Sequence, residues 1–124
     1  MLKTITLVGI GGAIGSVLRY LVSIGIQNKF LSAFPFGTFC VNISGCFLIG
    51  VIYALAVRNN ISLEWKFFLA TGLCGGYTTF STFSLESFAL LREGEFLYAA
   101  TYITASVVLG VLATFLPVII LEKI

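Results

Sequence analysis

Of 124 residues, 59% are hydrophobic and 10% charged, the formal net charge is +2 and the mean hydropathy is +1.10. A water-soluble globule of this size would carry such a composition only as large apolar surface patches, so the chain reads as an integral membrane protein. Histidine and aspartate are absent and the basic residues are scattered singly, which excludes His-containing triads, zinc-hydrolase motifs and paired-Asp chemistry, and argues against a nucleic-acid surface or a polybasic lipid anchor.

A bilayer core of roughly 30 Å takes about 20 mostly apolar residues per helix, so residues 1–124 are expected to form a single unit of four transmembrane helices with no separate soluble domain. The first span is expected from Thr4 to Ile26. It is longer than a signal-peptide hydrophobic region and lacks a small-residue cleavage site, so it is read as retained. In "GIGGAIGSVLRY" the glycines do not make a dinucleotide loop, because Ile14 stands where Gly or Ala is needed and no βαβ unit surrounds them. Gly11 and Gly15 form instead a GxxxG pair suited to close helix approach. Arg19, near the far end of this span, either snorkels to the headgroups or draws anions into a vestibule.

The second span is expected from Phe36 to Val57. Asn42, Cys46, Gly50 and Ala54 recur every fourth residue and make one small, polar helix face that packs against a helix or a pore. Asn42 is either interhelical glue, which the spacing favours, or a donor to a permeating anion. Cys40, Cys46 and Cys74 all fall inside spans, where neither a disulfide framework nor a CxxC metal pair is legible, and they read as small packing residues.

The third span, Trp65 to Leu91, is interrupted by "GGYTTFSTF". Helix from Trp65 to Cys74 is roughly 15 Å long and from Phe80 to Leu91 roughly 18 Å, so neither half crosses alone and the break falls near the midplane. Unwound backbone at that depth is tolerated only inside protein or beside a watery cavity. The first half-helix ends in free carbonyls that suit a hard cation, and the second begins with free amides that suit an anion. No carboxylate lies within Gly75 to Thr79, so a cation there needs carbonyl oxygens, of which two chains supply more than one, and this favours a dimer-centred cation. The competing reading is a glycine kink padded by back-bonding hydroxyls.

Beyond the break, Phe80 and Phe83 share a helix face, either packing or presenting their positive ring edges to an anion. Ser84 and Ser87 continue near that stripe. Glu86 is the one carboxylate well inside a span, which by default marks function. In the fourth span, Phe96 to Leu121, Tyr102, Ser106 and Gly110 repeat every fourth residue and form, with Ser81, Thr82 and Glu86, either a hydroxyl-lined track or interhelical hydrogen bonds. The connections "QNKFLSAFP", "RNNISLE" and "REGE" are short, so successive helices run antiparallel. Lys3, Arg58, Lys66 and Lys123 fall on the side of both termini, against Lys29, Arg92 and at most Arg19 on the other. So weak a bias permits insertion in both orientations.

"GLCGGYTTFSTFSLESF", "GTFCVNISGCFLIG" and "GIGGAIGSVLRY" closely resemble the Fluc (CrcB) family of small prokaryotic fluoride channels. The resemblance implies an all-α membrane protein whose third helix is broken near the midplane. It implies an antiparallel, dual-topology homodimer in the prokaryotic plasma (inner) membrane, passively exporting cytoplasmic fluoride. It also implies a structural sodium ion (Na+) at the dimer centre on the backbone carbonyls of Gly75 and Thr78, and a fluoride pore at Asn42, Phe80 and Phe83. The polar track carries over to Ser81, Thr82, Glu86, Tyr102 and Ser106, and the vestibule arginine to Arg19. Tyr77 departs from the family pattern at a position whose role is played by backbone. The rival readings are a small multidrug-type proton-coupled exporter, which wants a carboxylate that the first span lacks, and a helix bundle assisting a larger complex.

Overall fold

The computed structural model describes residues 1–58 and 61–123, so Asn59 and Asn60 of the expected "RNNISLE" connection lie outside the described residues. Among the described residues three helices are long and apolar enough to cross a membrane: α1 (Leu2–Gln27), α2 (Phe36–Val57) and α6 (Phe96–Glu122). Between α2 and α6 the expected third span is built in pieces. A short α-turn, α3 (Leu63–Lys66), runs into a π-helical segment, π1 (Phe67–Cys74), and a last α-turn, α4 (Gly75–Tyr77); after two extended residues α5 (Phe80–Arg92) follows. The chain is an all-helical, multi-pass membrane protein.

Two corrections to the sequence reading follow. The break is at Thr78 and Thr79, with ψ of 160° and 124°, whereas Gly75 and Gly76 are still helical. The half before it is largely π-helical, a form rarely longer than one turn and frequent at functional sites. Periodicity did not anticipate it, since apolar residues on every side leave no stripe from which a change of pitch is legible.

Helix–helix packing falls into two seams: α1 lies against π1 and α4, and α2 lies against α6. The first seam is backbone on backbone. A Cβ at Gly11 would sit 2.5 Å from the Phe68 carbonyl oxygen and 2.9 Å from the Leu73 nitrogen, and a Cβ at Gly76 would sit 3.0 Å from Gly12 Cα. The GxxxG pair therefore does what its spacing predicts, with Gly11 and Gly15 both buried against the broken helix. In the second seam Gly50 makes room for the ring of Pro117, and the Thr114 hydroxyl reaches the Cys46 carbonyl at 3.0 Å. The small face of α2 thus turns towards α6.

The ends are pinned by side chains. Gln27 Oε1 accepts the Gly37 amide at 3.0 Å, and its Nε2 donates to the carbonyls of Ser32 and Phe34, both at 3.2 Å, which folds the α1–α2 connection over the start of α2. Ser62 and Thr79 cap α3 and α5. Gly94, at φ +80°, makes the left-handed turn between α5 and α6. Phe34, Leu90, Ala99 and Tyr102 form a buried cluster beside that turn.

Gly11→Ala is expected to destabilise the fold by about 1–3 kcal/mol, as overpacking does. Gly9→Ala, where nothing lies within 4 Å, is expected to be neutral or slightly stabilising. Thermal unfolding in detergent, followed through the single tryptophan Trp65, distinguishes the two.

Candidate functional site

The break is held open by one side chain. Asn42 Nδ2 donates to the Thr79 carbonyl at 3.0 Å, and Asn42 Oδ1 accepts the Thr79 amide at 2.9 Å, so the amide pairs with Thr79 as a neighbouring strand would. The consequences run along the backbone. Had the helix continued, the Thr79 amide would have reached the Gly75 carbonyl, four residues back. The Thr82 amide would likewise have reached Thr78, but it is donated to the Thr79 hydroxyl at 3.2 Å. Gly75 and Thr78 therefore lose their helical donors, and among the described residues no other hydrogen bond reaches either oxygen. Arg19 Nε takes the intervening Gly76 carbonyl at 3.1 Å, bringing its charge to the negative end of the half-helix.

Beside the break lies an open cavity of about 420 Å³, lined by Asn42 and Cys46 of α2, Cys74 of π1, Phe80 and Phe83 of α5, and Ser106 of α6. Among the described residues no formally charged side chain lines it. The two phenylalanine rings lie 5.8 Å apart, centroid to centroid, and Phe83 continues onto Tyr102 at 5.1 Å. The Ser106 hydroxyl is buried with no hydrogen-bond partner among the described residues. A second cavity, about 350 Å³, opens near Ser23, Gln27 and Pro35, and Glu86 lines it.

Comparison with known proteins fits this arrangement. The model of the family "CrcB-like protein, Camphor Resistance (CrcB)" matches residues 6–118. The chain belongs to the CrcB-like family. It is 51% identical over 115 residues to the "Fluoride-specific ion channel FluC" of Phocaeicola vulgatus, covering 93% of this chain and 95% of that one. A protein of the same name from Flavobacterium psychrophilum is 48% identical over 124 residues, with 99% and 100% covered. Another, from Parabacteroides distasonis, is 46% identical over 124 residues, with 100% and 96% covered.

The residues that the CrcB resemblance singles out fall in three places. Gly75 and Thr78 lie at the interrupted end of α4, with Arg19 on the carbonyl between them, and both also border the first cavity. Asn42, Phe80, Phe83 and Ser106 line the first cavity. Glu86 and Tyr102 meet elsewhere: the Tyr102 hydroxyl donates to Glu86 Oε1 at 3.0 Å, and Thr38 donates to Oε2 at 3.1 Å. Ser81 is exposed and its hydroxyl lies 3.5 Å from that of Thr79, while Thr82 joins the break through its amide. Ser106 is thus with the phenylalanines rather than with Glu86. Asn42 is glue, as the spacing favoured, and also borders the cavity.

Thr38 is the residue that the sequence reading missed, although the signal was present. It lies one helical turn before Asn42, on the same face as Cys46 and Gly50. Tyr77, which departs from the CrcB pattern, places its hydroxyl 2.9 Å from that of Ser44. Gln27 gave no signal, since its partners are backbone groups of a connection whose path only the fold determines.

Asn42→Leu removes both side-chain partners of the half-buried Thr79 amide and carbonyl, at about 1 kcal/mol for each hydrogen bond lost. The amides of Thr79 and Thr82 are expected to exchange with solvent tenfold or more faster, since about 1.4 kcal/mol is a factor of ten. Exchange on this segment should stay near wild type in Ser44→Ala.

Proposed function

We propose that the chain is the subunit of a passive, fluoride-selective channel that exports cytoplasmic fluoride, a transporter and not an enzyme. The observation that carries this reading is the first cavity: a buried, unpartnered hydroxyl at Ser106, the amide of Asn42 and the rings of Phe80 and Phe83, with no formal charge among them. Donors and positive ring edges favour an anion, and the lack of a fixed cation keeps binding weak enough for release. Fluoride is small and strongly hydrated, so closely spaced donors must replace its water. The negative membrane potential drives the anion outwards. The name of the relatives, fluoride-specific ion channel, supplies the ion. The exporter alternative lacks support: α1 has no carboxylate for proton coupling.

In this reading the working unit is an antiparallel homodimer in the bacterial inner membrane, with two half-helices completing the fourth crossing. Two features support it. Phe80 is 79% exposed in the isolated chain, although it borders the cavity, and the charge bias is weak enough for both orientations. Gly75 and Thr78 of each protomer would hold a structural sodium ion. Their fit rests on the donor set, hard carbonyl oxygens released from helical bonding, which suits a hard cation. The ion would tie the two breaks together. Glu86, Tyr102, Thr38, Ser81 and Thr82 then border the route to the second cavity.

Liposomes containing the pure protein are expected to release fluoride with no proton gradient and to retain chloride. Dependence on a proton gradient would instead point to an exporter, and absence of flux to a structural bundle. Phe80→Ile or Phe83→Ile is expected to slow fluoride release about tenfold or more, a barrier change of about 1.4 kcal/mol, with the dimer intact on size exclusion. Exchanging sodium for N-methylglucamine is expected to lower the dimer's thermal stability in wild type. An unchanged melting temperature would remove the central ion.

A further inference from the structure

Two thiols border the first cavity and have no part in the function above. Cys46 lies on α2, one turn beyond Asn42. Cys74 is the last residue of π1, immediately before Gly75. Both line the same cavity, and both are free. Cys40, the third cysteine, is not among the cavity's lining residues.

We propose that Cys46 and Cys74 form a two-thiol site for a soft cation of linear two-coordinate preference, the mercuric ion, and that its occupation stops anion passage. This rests on the channel reading and adds a mode of inhibition at the same cavity. The ligand set selects the ion. Thiolate sulfur prefers soft metals, and no histidine occurs in the chain. Among the described residues no group of three His, Cys, Asp or Glu side chains could hold a metal, so a tetrahedral zinc site is not completed, whereas two sulfurs suffice for a linear ion. The reaction needs no oxidant: both S–H bonds break, two S–Hg bonds form, and two protons are released for each Hg2+ bound.

Two effects on transport follow. The bridge ties α2 to the end of π1, next to the freed carbonyl of Gly75. It also places a metal centre beside Asn42, Phe80 and Phe83, where neutral groups otherwise keep binding weak. An anion held there more tightly leaves more slowly, and conduction fails.

The test uses proteoliposomes loaded with fluoride and micromolar mercuric chloride. Fluoride release is expected to fall about tenfold and to recover with excess dithiothreitol. Cys40→Ala should remain fully sensitive. Cys46→Ala and Cys74→Ala, each compared with its own metal-free rate, should each lose the inhibition. In detergent, Cys40→Ala should bind one Hg2+ per chain with release of two protons. Two ions per chain, metal-insensitive release by the wild type, or inhibition that survives either cavity substitution would each overturn the proposal. Absence of fluoride release before metal is added would instead overturn the channel reading, while the binding stoichiometry still judges the thiol pair.

Discussion

The pairing of one side-chain amide with one backbone residue governs the centre of this molecule. Asn42 takes both the N–H and the C=O of Thr79, as an edge strand would, and Thr79 cannot then join the helix behind it. Inside a membrane a broken helix leaves polar groups whose exposure to lipid would cost several kcal/mol apiece. Asn42 and the Thr79 hydroxyl meet part of that demand. They do so by diverting the donors of two specific carbonyls, those of Gly75 and Thr78, while Arg19 satisfies the carbonyl between them. The break is therefore a polarised site, with unpaired oxygens on one side and a capped helix start on the other.

Such a site survives only if protein covers it. The glycine seam does this, since α1 meets π1 and α4 at distances that leave no room for a Cβ at Gly11 or Gly76. Close approach brings Arg19, two turns beyond Gly11 on α1, within reach of the Gly76 carbonyl. The wider π-helical turns belong to the same seam, and their apposition to α1 is backbone on backbone. On the other side, α2 reaches the break with Asn42 and α6 contributes Ser106, so that the phenylalanines of α5 and the buried hydroxyl of Ser106 share one cavity. Glu86 is kept out of that cavity. Thr38 and Tyr102 hold both of its oxygens at a second opening, so the carboxylate does not add its charge to the walls between Asn42 and Phe80.

Much of this was legible in the residues themselves. Hydropathy and length specified a multi-pass helical protein, because a bilayer leaves a chain of this composition few alternatives. "GGYTTFSTF" marked the interrupted helix, and the four-residue recurrences identified both the α1 glycine pair and the polar face of α2. These signals are local: each depends on helical periodicity or on the cost of polar backbone in lipid. The restart of the helix at Phe80 falls where expected, but the first half runs on through the three residues Gly75, Gly76 and Tyr77, since the glycines look like the weak point and yet remain helical. Glycine permits a break, whereas the competing hydrogen bonds of Asn42 and of the Thr79 hydroxyl impose one.

By itself, then, the sequence determined the membrane class, the existence of a polar interruption and the residue types available to it, because those follow from composition and spacing. Only the tertiary structure decided which groups meet. It drew Thr38 and Tyr102 to Glu86, Gln27 to the backbone of its own connection, Arg19 to Gly76, and Cys46 and Cys74 to one cavity, and it separated Ser106 from the carboxylate that periodicity had grouped with it. The reason is geometric. Periodicity fixes the angle of a side chain around its own helix axis, but the height and rotation of one helix against another depend on how their surfaces fit, here through glycines packed onto backbone.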